Sequence, residues 1–224
     1  MILILTQCFP SRLGGVESLI SNLALGLSAT EKVIVFADRH HIFHDAIYDN
    51  HHKDKILVRR VGGIKFFRRR KKIKEIKPFI ETQQVKLVIA DSWKSLELGI
   101  EYLNLKKIPV ICLAHGNELL PTSASKKQRI FKTISKVSLV VANSLFTQKL
   151  VGNLSIINSK IKFVGLHAHS VAGSIFDAIG YPQAHMDFAY ENGSKALAIT
   201  DHGNMNGYSY QLLHWKKMKA EEEP

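Results

Sequence analysis

The sequence MILILTQCFPSRLGG (Met1–Gly15) joins a continuous apolar segment to a loop that ends in two adjacent glycines. Met1–Thr6 is apolar almost to its last residue, which is typical of a strand buried on both faces of a parallel sheet. After Gly14 and Gly15, apolar residues recur at helical spacing over residues 16–28. We therefore predict a strand, a glycine loop and a helix as the first unit of a parallel α/β domain.

The two glycines allow a ligand to approach the backbone closely, and the N-terminus of the following helix favours an anionic group. The loop does not match the GxGxxG pattern, so it carries no dinucleotide fingerprint. A ligand-binding loop and a tight turn without a ligand both stay open as interpretations of Gly14 and Gly15.

Strands and helices alternate through the rest of residues 1–160, which predicts an α/β fold with a doubly wound, Rossmann-like parallel sheet. The further predicted strands are Lys32–Ala37, Lys55–Val61, Lys86–Ala90, Pro109–Ala114 and Leu139–Ala142, with helices near residues 94–103 and 126–136. Ligands of such sheets bind at the carboxyl ends of the strands. Besides the two glycines, that rule selects Asp91-Ser92, His115–Glu118 and Asn143-Ser144.

The charge of the chain is unevenly distributed. Residues 161–224 hold only five of the 31 Lys and Arg but seven of the 19 Asp and Glu, so their net charge is −2, whereas residues 1–160 carry +14 of a total of +12. This difference predicts a boundary near residue 160. The two cysteines are too few for a disulfide framework, and no apolar run approaches the roughly 20 residues of a membrane span, which predicts a cytoplasmic protein.

The segment KFFRRRKKIKEIK (Lys65–Lys77) is strongly basic but contains four apolar residues. We predict a helix with Phe66, Phe67, Ile73 and Ile76 on the sheet side and a basic outer face. That face has three open interpretations: a solvated surface, a contact with anionic lipid at the inner membrane face, or a contact with nucleic acid phosphates.

Histidines are concentrated between the second and third predicted strands, in a segment that we predict to be a polar loop. No carboxylate or cysteine pattern there fixes a metal geometry, so a solvated loop is favoured over a metal site. The residues are His40, His41, His44, His51 and His52.

Residues 161–224 contain two short predicted strands with polar ends. One strand precedes His167 and His169, whose side chains project to the same side of an extended chain. The other, Ala196–Thr200, leads into Asp201 and His202. Parallel β/α folds build metal sites from such strand ends, so the pattern predicts a divalent-metal site, with polar strand ends as the alternative.

Taken in order, four motifs make residues 1–160 resemble the N-terminal domain of family 4 glycosyltransferases, which have the GT-B fold. The motifs are FPSRLGGVE (Phe9–Glu17), VKLVIADSW (Val85–Trp93), AHGNEL (Ala114–Leu119) and VANSLFTQKLV (Val141–Val151). The resemblance implies sugar transfer from a nucleotide sugar to a small-molecule, glycan or lipid-linked acceptor. Many members of the family lie on the inner membrane surface, which would give the basic helix a role.

The same resemblance implies site residues. His115 and Glu118 are the candidate catalytic residues, near the reacting groups. The candidates for binding the nucleotide sugar are Gly14, Gly15, Asn143 and Ser144. The family's second domain supplies most of the donor site, and the sequence shows no second Rossmann-like half, so we expect no sugar transfer by this chain alone.

Residues 161–224 resemble the start of a PHP (polymerase and histidinol phosphatase) domain, as in the bacterial DNA polymerase III α subunit. The motifs are GLHAHS (Gly165–Ser170), Phe176-Asp177 and ALAITDHGN (Ala196–Asn204). The resemblance implies an incomplete β/α barrel and an incomplete site for Zn²⁺, Mn²⁺ or Mg²⁺. Its metal residues would be His167, His169, Asp177, Asp201 and His202.

Three hypotheses follow. The chain is a glycosyltransferase acceptor-domain fragment, a metal-dependent phosphoesterase or polymerase-associated protein that meets nucleic acid, or a hybrid of two unrelated genes. The hybrid hypothesis accounts for both resemblances.

Overall fold

The computed structural model of this chain describes residues 1–120, 123–153, 161–163, 165–168, 181–191, 194, 197–199 and 206–222. In this described part, seven strands form the larger sheet. They are Ile2–Leu5 (β1), Val33–Asp38 (β2), Ile56–Val61 (β3), Leu87–Ala90 (β4), Val110–Ala114 (β5), Leu139–Ala142 (β6) and Ile161–Phe163 (β7).

The strand order is β3-β2-β1-β4-β5-β6-β7, and the neighbouring pairs from β3 to β6 are parallel. The chain therefore starts in the middle of the sheet, winds outward to β3, and returns past β1 to wind the other way. This confirms the predicted α/β class with a doubly wound parallel sheet. The carboxyl ends of β1 and β4 are adjacent at the point where the winding reverses, which is where such sheets bind ligands.

A helical segment follows each of the first six strands. The helices of this region are Gly15–Leu27 (α1), Ile42–His52 (α2), Lys65–Thr82 (α3), Trp93–Leu96 (α4), Ile100–Leu105 (α5), Ala124–Ile134 (α6) and Leu145–Gly152 (α7), with a 3-10 turn at Asn117–Leu119. The single helix predicted over residues 94–103 is two helices. They are separated near Gly99, where an added Cβ would lie 2.7 Å from Cδ1 of Ile73 on α3.

The core of this region lies between the sheet and the helices. β1 and β2 are buried along their whole length, as their apolar sequences predict. Trp93 is the largest of the fully buried side chains and packs in the same cluster as Ile76 and Ile80 of α3. Because α3 and α4 pack against the strands, the positions of the helix residues around the carboxyl ends of these strands are fixed.

The prediction of a polar loop for the histidine-rich segment was wrong, because most of it forms α2. His41 caps this helix by accepting the backbone N–H of His44 at Nδ1, at 3.3 Å. The apolar residues Ile42, Phe43 and Ile47 are exposed. The sequence of this helix has no apolar stripe of the kind by which an amphipathic helix is recognised, and the helix accordingly buries almost none of its apolar residues.

The chain divides into two units, Met1–Lys162 and Phe163–Pro224. In the second unit, Gly165–Ala168 (β8) and Leu197–Ile199 (β9) pair in parallel. Its helices are Pro182–Glu191 (α8) and Asn206–Glu222 (α9), which pack together. An ion pair between His214 and Asp187, with 2.5 Å between Nε2 and Oδ1, joins these two helices. Among the helices of the described residues, none combines the length and apolar character that crossing a membrane requires.

Candidate functional site

The loop after β1 is tied to the end of β4 by a buried carboxylate. Oδ2 of Asp91 accepts hydrogen bonds from the Thr6 hydroxyl (2.8 Å), the Gln7 N–H (2.8 Å) and the Cys8 N–H (3.3 Å). Its Oδ1 accepts the hydroxyl of Ser95 on α4 at 2.6 Å. One side chain thus fixes the first residues of the glycine loop against the neighbouring strand.

A second carboxylate holds the middle of the same loop. Asp45 of α2 accepts the Ser11 hydroxyl at Oδ1 (2.7 Å) and the His40 N–H at Oδ2 (2.9 Å). Burial alone would raise the pKa of Asp45, but the hydrogen bonds from Ser11 and His40 and the charge of Arg60 hold its pKa below the ordinary value. The loop is therefore braced by side chains from both neighbouring strand–helix units.

The predicted binding residues Gly14 and Gly15 lie where the loop enters α1. The carboxylate of Glu17, which is buried, folds back so closely that a Cβ at position 14 would overlap it. Nε of Arg12 lies 3.1 Å from Oε1 of Glu17. The absence of a side chain at Gly14 thus makes room for a carboxylate of the protein itself, at the helix N-terminus where a phosphate was expected.

An ion pair stands at the end of β2. Nζ of Lys72 lies 2.7 Å from Oδ1 of Asp38, and it also donates to the Thr6 carbonyl. Lys72 is 3% exposed. The predicted basic outer face of α3 therefore has an exception, because one lysine of the basic run points into the protein and joins the ends of β1 and β2. The prediction that Phe67 lies on the sheet side was wrong, because its side chain is exposed.

The candidate catalytic residues form a tight turn after β5. The His115 N–H donates to Oε1 of Glu118 (2.8 Å), and Nε1 of Trp93 donates to the Glu118 carbonyl (3.0 Å). Nε2 of His115 is buried and makes no hydrogen bond within the part of the chain that the structure describes. Glu118 thus closes the turn, whereas the His115 ring retains an unused nitrogen.

Gly116 has φ +108°, and a Cβ there would lie 3.0 Å from Oγ1 of Thr147. We expect Gly116→Ala to lower the free energy of unfolding by about 1–3 kcal/mol, because side chains strain this backbone region and Thr147 is buried. Urea unfolding measures the change. Gly26→Ala on α1, where an added Cβ meets nothing within 4 Å, is the matched control and is expected to be neutral or stabilising. Equal stability of Gly116→Ala and wild type would contradict the strain.

The predicted binding residues Asn143 and Ser144 begin α7. Oγ of Ser144 accepts the Thr147 N–H (3.1 Å) and thereby caps α7. Oδ1 of Asn143 accepts the Thr147 hydroxyl at 2.9 Å. Thr147 also contacts Gly116, so the structure brings the His115–Glu118 turn and the start of α7 together. The two polar side chains are engaged in holding this junction.

A cleft of about 570 Å³ opens at the carboxyl ends of β1, β2 and β4. Its lining residues come from the strand ends and from α3, α4 and α6: Gln7, Asp38, Ile64, Arg69, Trp93, Lys94, Lys126 and Arg129. The predicted site residues His115 and Glu118 are not part of this lining, although Glu118 contacts Trp93. Sequence reasoning missed the cleft because its cations are scattered over three helices.

Glu97 organises two of the cleft's arginines. It accepts Nη1 of Arg69 at 2.6 Å, and Nε and Nη2 of Arg129 at 2.5 and 2.9 Å. Burial alone would raise the pKa of Glu97, but the hydrogen bonds from Arg129 and Arg69 outweigh it and hold the pKa below the ordinary value. The guanidinium of Arg129 also lies over the Trp93 ring, 5.7 Å from its centroid. Both arginines are thus held in fixed positions.

Neither cysteine is suited to nucleophilic chemistry at neutral pH. Burial, reinforced by the charge of Asp91, raises the pKa of the Cys8 thiol to about 11. Burial raises the pKa of Cys112 still further. Since the thiolate is the nucleophile, both side chains act as packing residues beside the site.

The predicted metal residues His169, Asp177, Asp201 and His202 lie outside the described residues. His167 lies in β8, which pairs with β9, the strand that precedes Asp201 in the sequence. Within the described residues, no group of three or more His, Cys, Asp or Glu side chains could hold a metal ion. The metal site, the PHP resemblance and the division of function near residue 160 stay predictions.

The fold has solved relatives. HepE of Anabaena, determined with UDP and glucose, matches with a TM-score of 0.58 at 14% identity, over 86% of this chain and 50% of HepE. A glycosyltransferase from Rickettsia africae matches with a TM-score of 0.54 at 18% identity, over 87% of this chain and 50% of its own. UDP-GlcNAc 2-epimerase from Methanocaldococcus jannaschii matches with a TM-score of 0.53 at 15% identity, over 73% and 45%.

These likenesses establish the fold alone, and the chain spans about half the length of the structures it matches. No protein of curated function matches the sequence significantly. The doubly wound sheet with its cleft at the carboxyl ends defines a Rossmann-like α/β domain, similar in fold to these structures. The model of Glycosyltransferase Family 4 matches residues 13–165, and the chain belongs to this family.

Proposed function

We propose that this chain serves in the transfer of a sugar from a nucleotide sugar, and that Met1–Lys162 contributes the acceptor side of the active site. Family membership over residues 13–165 supports the reaction class. The observation that carries the proposal is the cleft at the carboxyl ends of the parallel strands, because ligands of doubly wound sheets bind there. HepE was determined with UDP, so a UDP-sugar is the proposed donor.

The reaction joins an acceptor hydroxyl oxygen to the anomeric carbon of the sugar. The bond from that carbon to the diphosphate breaks, the diphosphate leaves with the electron pair, and the hydroxyl proton is released. We assign to His115 a hydrogen bond to the reacting groups, and to Glu118 the positioning of the His115 backbone through the 2.8 Å bond to its N–H. The nucleotide-sugar contacts predicted for Gly14, Gly15, Asn143 and Ser144 stay predictions, since the Glu17 carboxylate lies against Gly14 and Thr147 engages Asn143 and Ser144.

Acceptor-dependent release of UDP from UDP-sugars tests this function. In any acceptor-dependent release of UDP that this chain shows, we expect His115→Ala to lower kcat by about a hundredfold, the typical loss when one preorganised hydrogen bond to the reacting groups is removed. His44→Ala on α2 is the control, and it is expected to leave kcat unchanged because His44 lies in the exposed first turn of that helix. Equal losses in both variants would reject the role of His115.

The prediction that this chain alone transfers no sugar is tested by the same assay. Turnover by the purified chain would overturn that prediction and support the proposed function. If no UDP is released with any acceptor and none of the acceptors binds, the proposed function is rejected.

The acceptor is proposed to be a small molecule or a lipid-linked sugar, and the start of α3 favours a membrane-bound source. Ile64 and Phe67 are 73% and 54% exposed, and Arg70, Lys71 and Lys74 follow on the exposed part of the helix. Exposed apolar residues beside cations suit the interface of an anionic bilayer.

We expect the chain to sediment with vesicles of phosphatidylglycerol and phosphatidylcholine but not with pure phosphatidylcholine. Ile64→Ser/Phe67→Ser should weaken this binding by about tenfold or more, since each side chain loses apolar area that enters the bilayer. Ile42→Ser/Phe43→Ser on α2 removes a similar apolar area and is the control. Equal sedimentation of all three proteins would exclude the proposed contact.

A further inference from the structure

The cleft is cationic. Its lining contains Arg69, Lys94, Lys126 and Arg129 but only one carboxylate, that of Asp38. Asp38 is already paired with Lys72 at 2.7 Å and with Arg68 at 3.4 Å. The cleft therefore attracts anions, and its one lining carboxylate is paired with cations that are not part of the lining.

Two of the four lining cations are engaged by Glu97, but the two lysines differ from them. Nζ of Lys126 donates to one neutral acceptor, the Leu120 carbonyl, at 2.6 Å. Lys94 has neither an ion pair nor a side-chain hydrogen bond among the described residues. Both lysines are half-buried as residues, on two different helices, and their ammonium groups lie beside the cleft without carboxylate partners among the described residues.

The usual phosphate site of this fold is filled. An anion in a doubly wound domain commonly binds at the N-terminus of the helix after β1. Here the Glu17 carboxylate occupies the position next to Gly14, and a phosphate would have to displace it. Repulsion between the two anions disfavours that exchange, so a phosphate that approaches this unit is directed to the cleft.

We propose that the cleft binds a phosphate or diphosphate group of the sugar acceptor, and that Lys94 and Lys126 contact it. Arg69 and Arg129 contribute positive potential while Glu97 keeps them in place. The inference rests on the proposed function, since it names the class of acceptor. A phosphate on a lipid carrier and a phosphate on a soluble sugar share this chemistry.

Calorimetric titration of the full chain with inorganic diphosphate tests the site directly. We expect Lys94→Gln/Lys126→Gln to weaken diphosphate binding by about tenfold or more, because two charge-assisted contacts are lost. Lys53→Gln/Lys55→Gln removes the same charge from exposed lysines before β3. These lysines lie at the amino ends of the strands, away from the cleft, so the change should alter binding by less than about twofold. Wild-type binding should also weaken in 0.5 M NaCl.

Farnesyl phosphate and glucose 1-phosphate distinguish the two sources of the phosphate, and the tighter ligand of the wild-type chain identifies the source. Absence of diphosphate binding by the wild type, or equal binding by the wild type and Lys94→Gln/Lys126→Gln with both proteins folded by circular dichroism, overturns the proposal. The proposal is also overturned if UDP competes with farnesyl phosphate and UDP binding depends on the same two lysines. The cleft would then be the donor site.

The outcome is separable from that of the proposed function. Sugar transfer to an uncharged acceptor by a chain that does not bind diphosphate supports the transferase and overturns the phosphate site. Diphosphate binding that depends on both lysines, in a chain that neither turns over a donor nor binds any sugar acceptor, supports the anion site and rejects the proposed function.

Discussion

Asp91→Ala is expected to lower the free energy of unfolding by about 3–5 kcal/mol, since buried donors left without an acceptor cost about 1–3 kcal/mol each. Asp91 is 2% exposed and accepts hydrogen bonds from the backbone of Gln7 and Cys8 and from the hydroxyls of Thr6 and Ser95. Urea unfolding measures the loss. Native-state hydrogen exchange should show faster exchange of the Gln7 and Cys8 amides, because the loop after β1 loses its anchor.

Two further variants make the Asp91 prediction specific. Asp91→Asn retains one acceptor oxygen for the loop and places its amide group beside hydroxyls that can accept, so we expect a smaller loss of about 1–2 kcal/mol. Asp54→Ala removes an exposed carboxylate before β3 and should change stability by less than about 0.5 kcal/mol. If Asp91→Ala were no more destabilising than Asp54→Ala, Asp91 would not be the anchor of the loop.

Lys72→Ala is expected to destabilise the protein by about 3–5 kcal/mol, the usual cost of leaving one partner of a buried ion pair unpaired. The change leaves the Asp38 carboxylate with Arg68 at 3.4 Å as its remaining ion-pair partner among the described residues, and it removes the donor to the Thr6 carbonyl. Thermal and urea unfolding check the result. Lys71→Ala, the exposed neighbour on α3, is expected to cost less than about 0.5 kcal/mol.

A double variant tests whether the loss in Lys72→Ala comes from an unpaired buried charge. Lys72→Met/Asp38→Leu replaces both charges with apolar side chains of similar volume, which is often neutral or stabilising at buried pairs. We expect it to be more stable than Lys72→Ala by about 2 kcal/mol or more. Equal stability of the two variants would contradict the assignment of the loss in Lys72→Ala to an unpaired buried charge.

Much of the fold of residues 1–160 follows from local sequence signals. The apolar strands, Gly14-Gly15 after β1 and the cap Ser144 before α7 are each encoded within a few residues, so their places in the chain could be predicted. The two failures have different causes. α2 exposes Ile42 and Phe43 and thus lacks an amphipathic signal, whereas the helix predicted over residues 94–103 is divided by a turn that ends at Gly99.

The candidate site was predicted less completely than the fold. The position of His115 at the end of β5 follows from the rule for parallel sheets, and the structure places it in a tight turn. The cleft itself needed the tertiary structure, because Arg69, Lys94 and Arg129 approach one another only when α3, α4 and α6 pack together. A signal for Lys72 was present, since it precedes Ile76 by four residues on the buried side of α3.

The sequence by itself determined the alternation of strands and helices and the family motifs, because apolar runs, turn residues and short motifs act over a few residues. Tertiary structure alone decided which charges are buried and paired. Lys72 donates to a carbonyl 66 positions away, and Asp91 accepts a hydroxyl 85 positions away. The helical spacing places Lys72 on the buried side of α3 but does not indicate its partner, and an aspartate after a strand has no local mark that distinguishes it from solvated neighbours. Their environment is set by the strand order, which brings the ends of β1, β2 and β4 together.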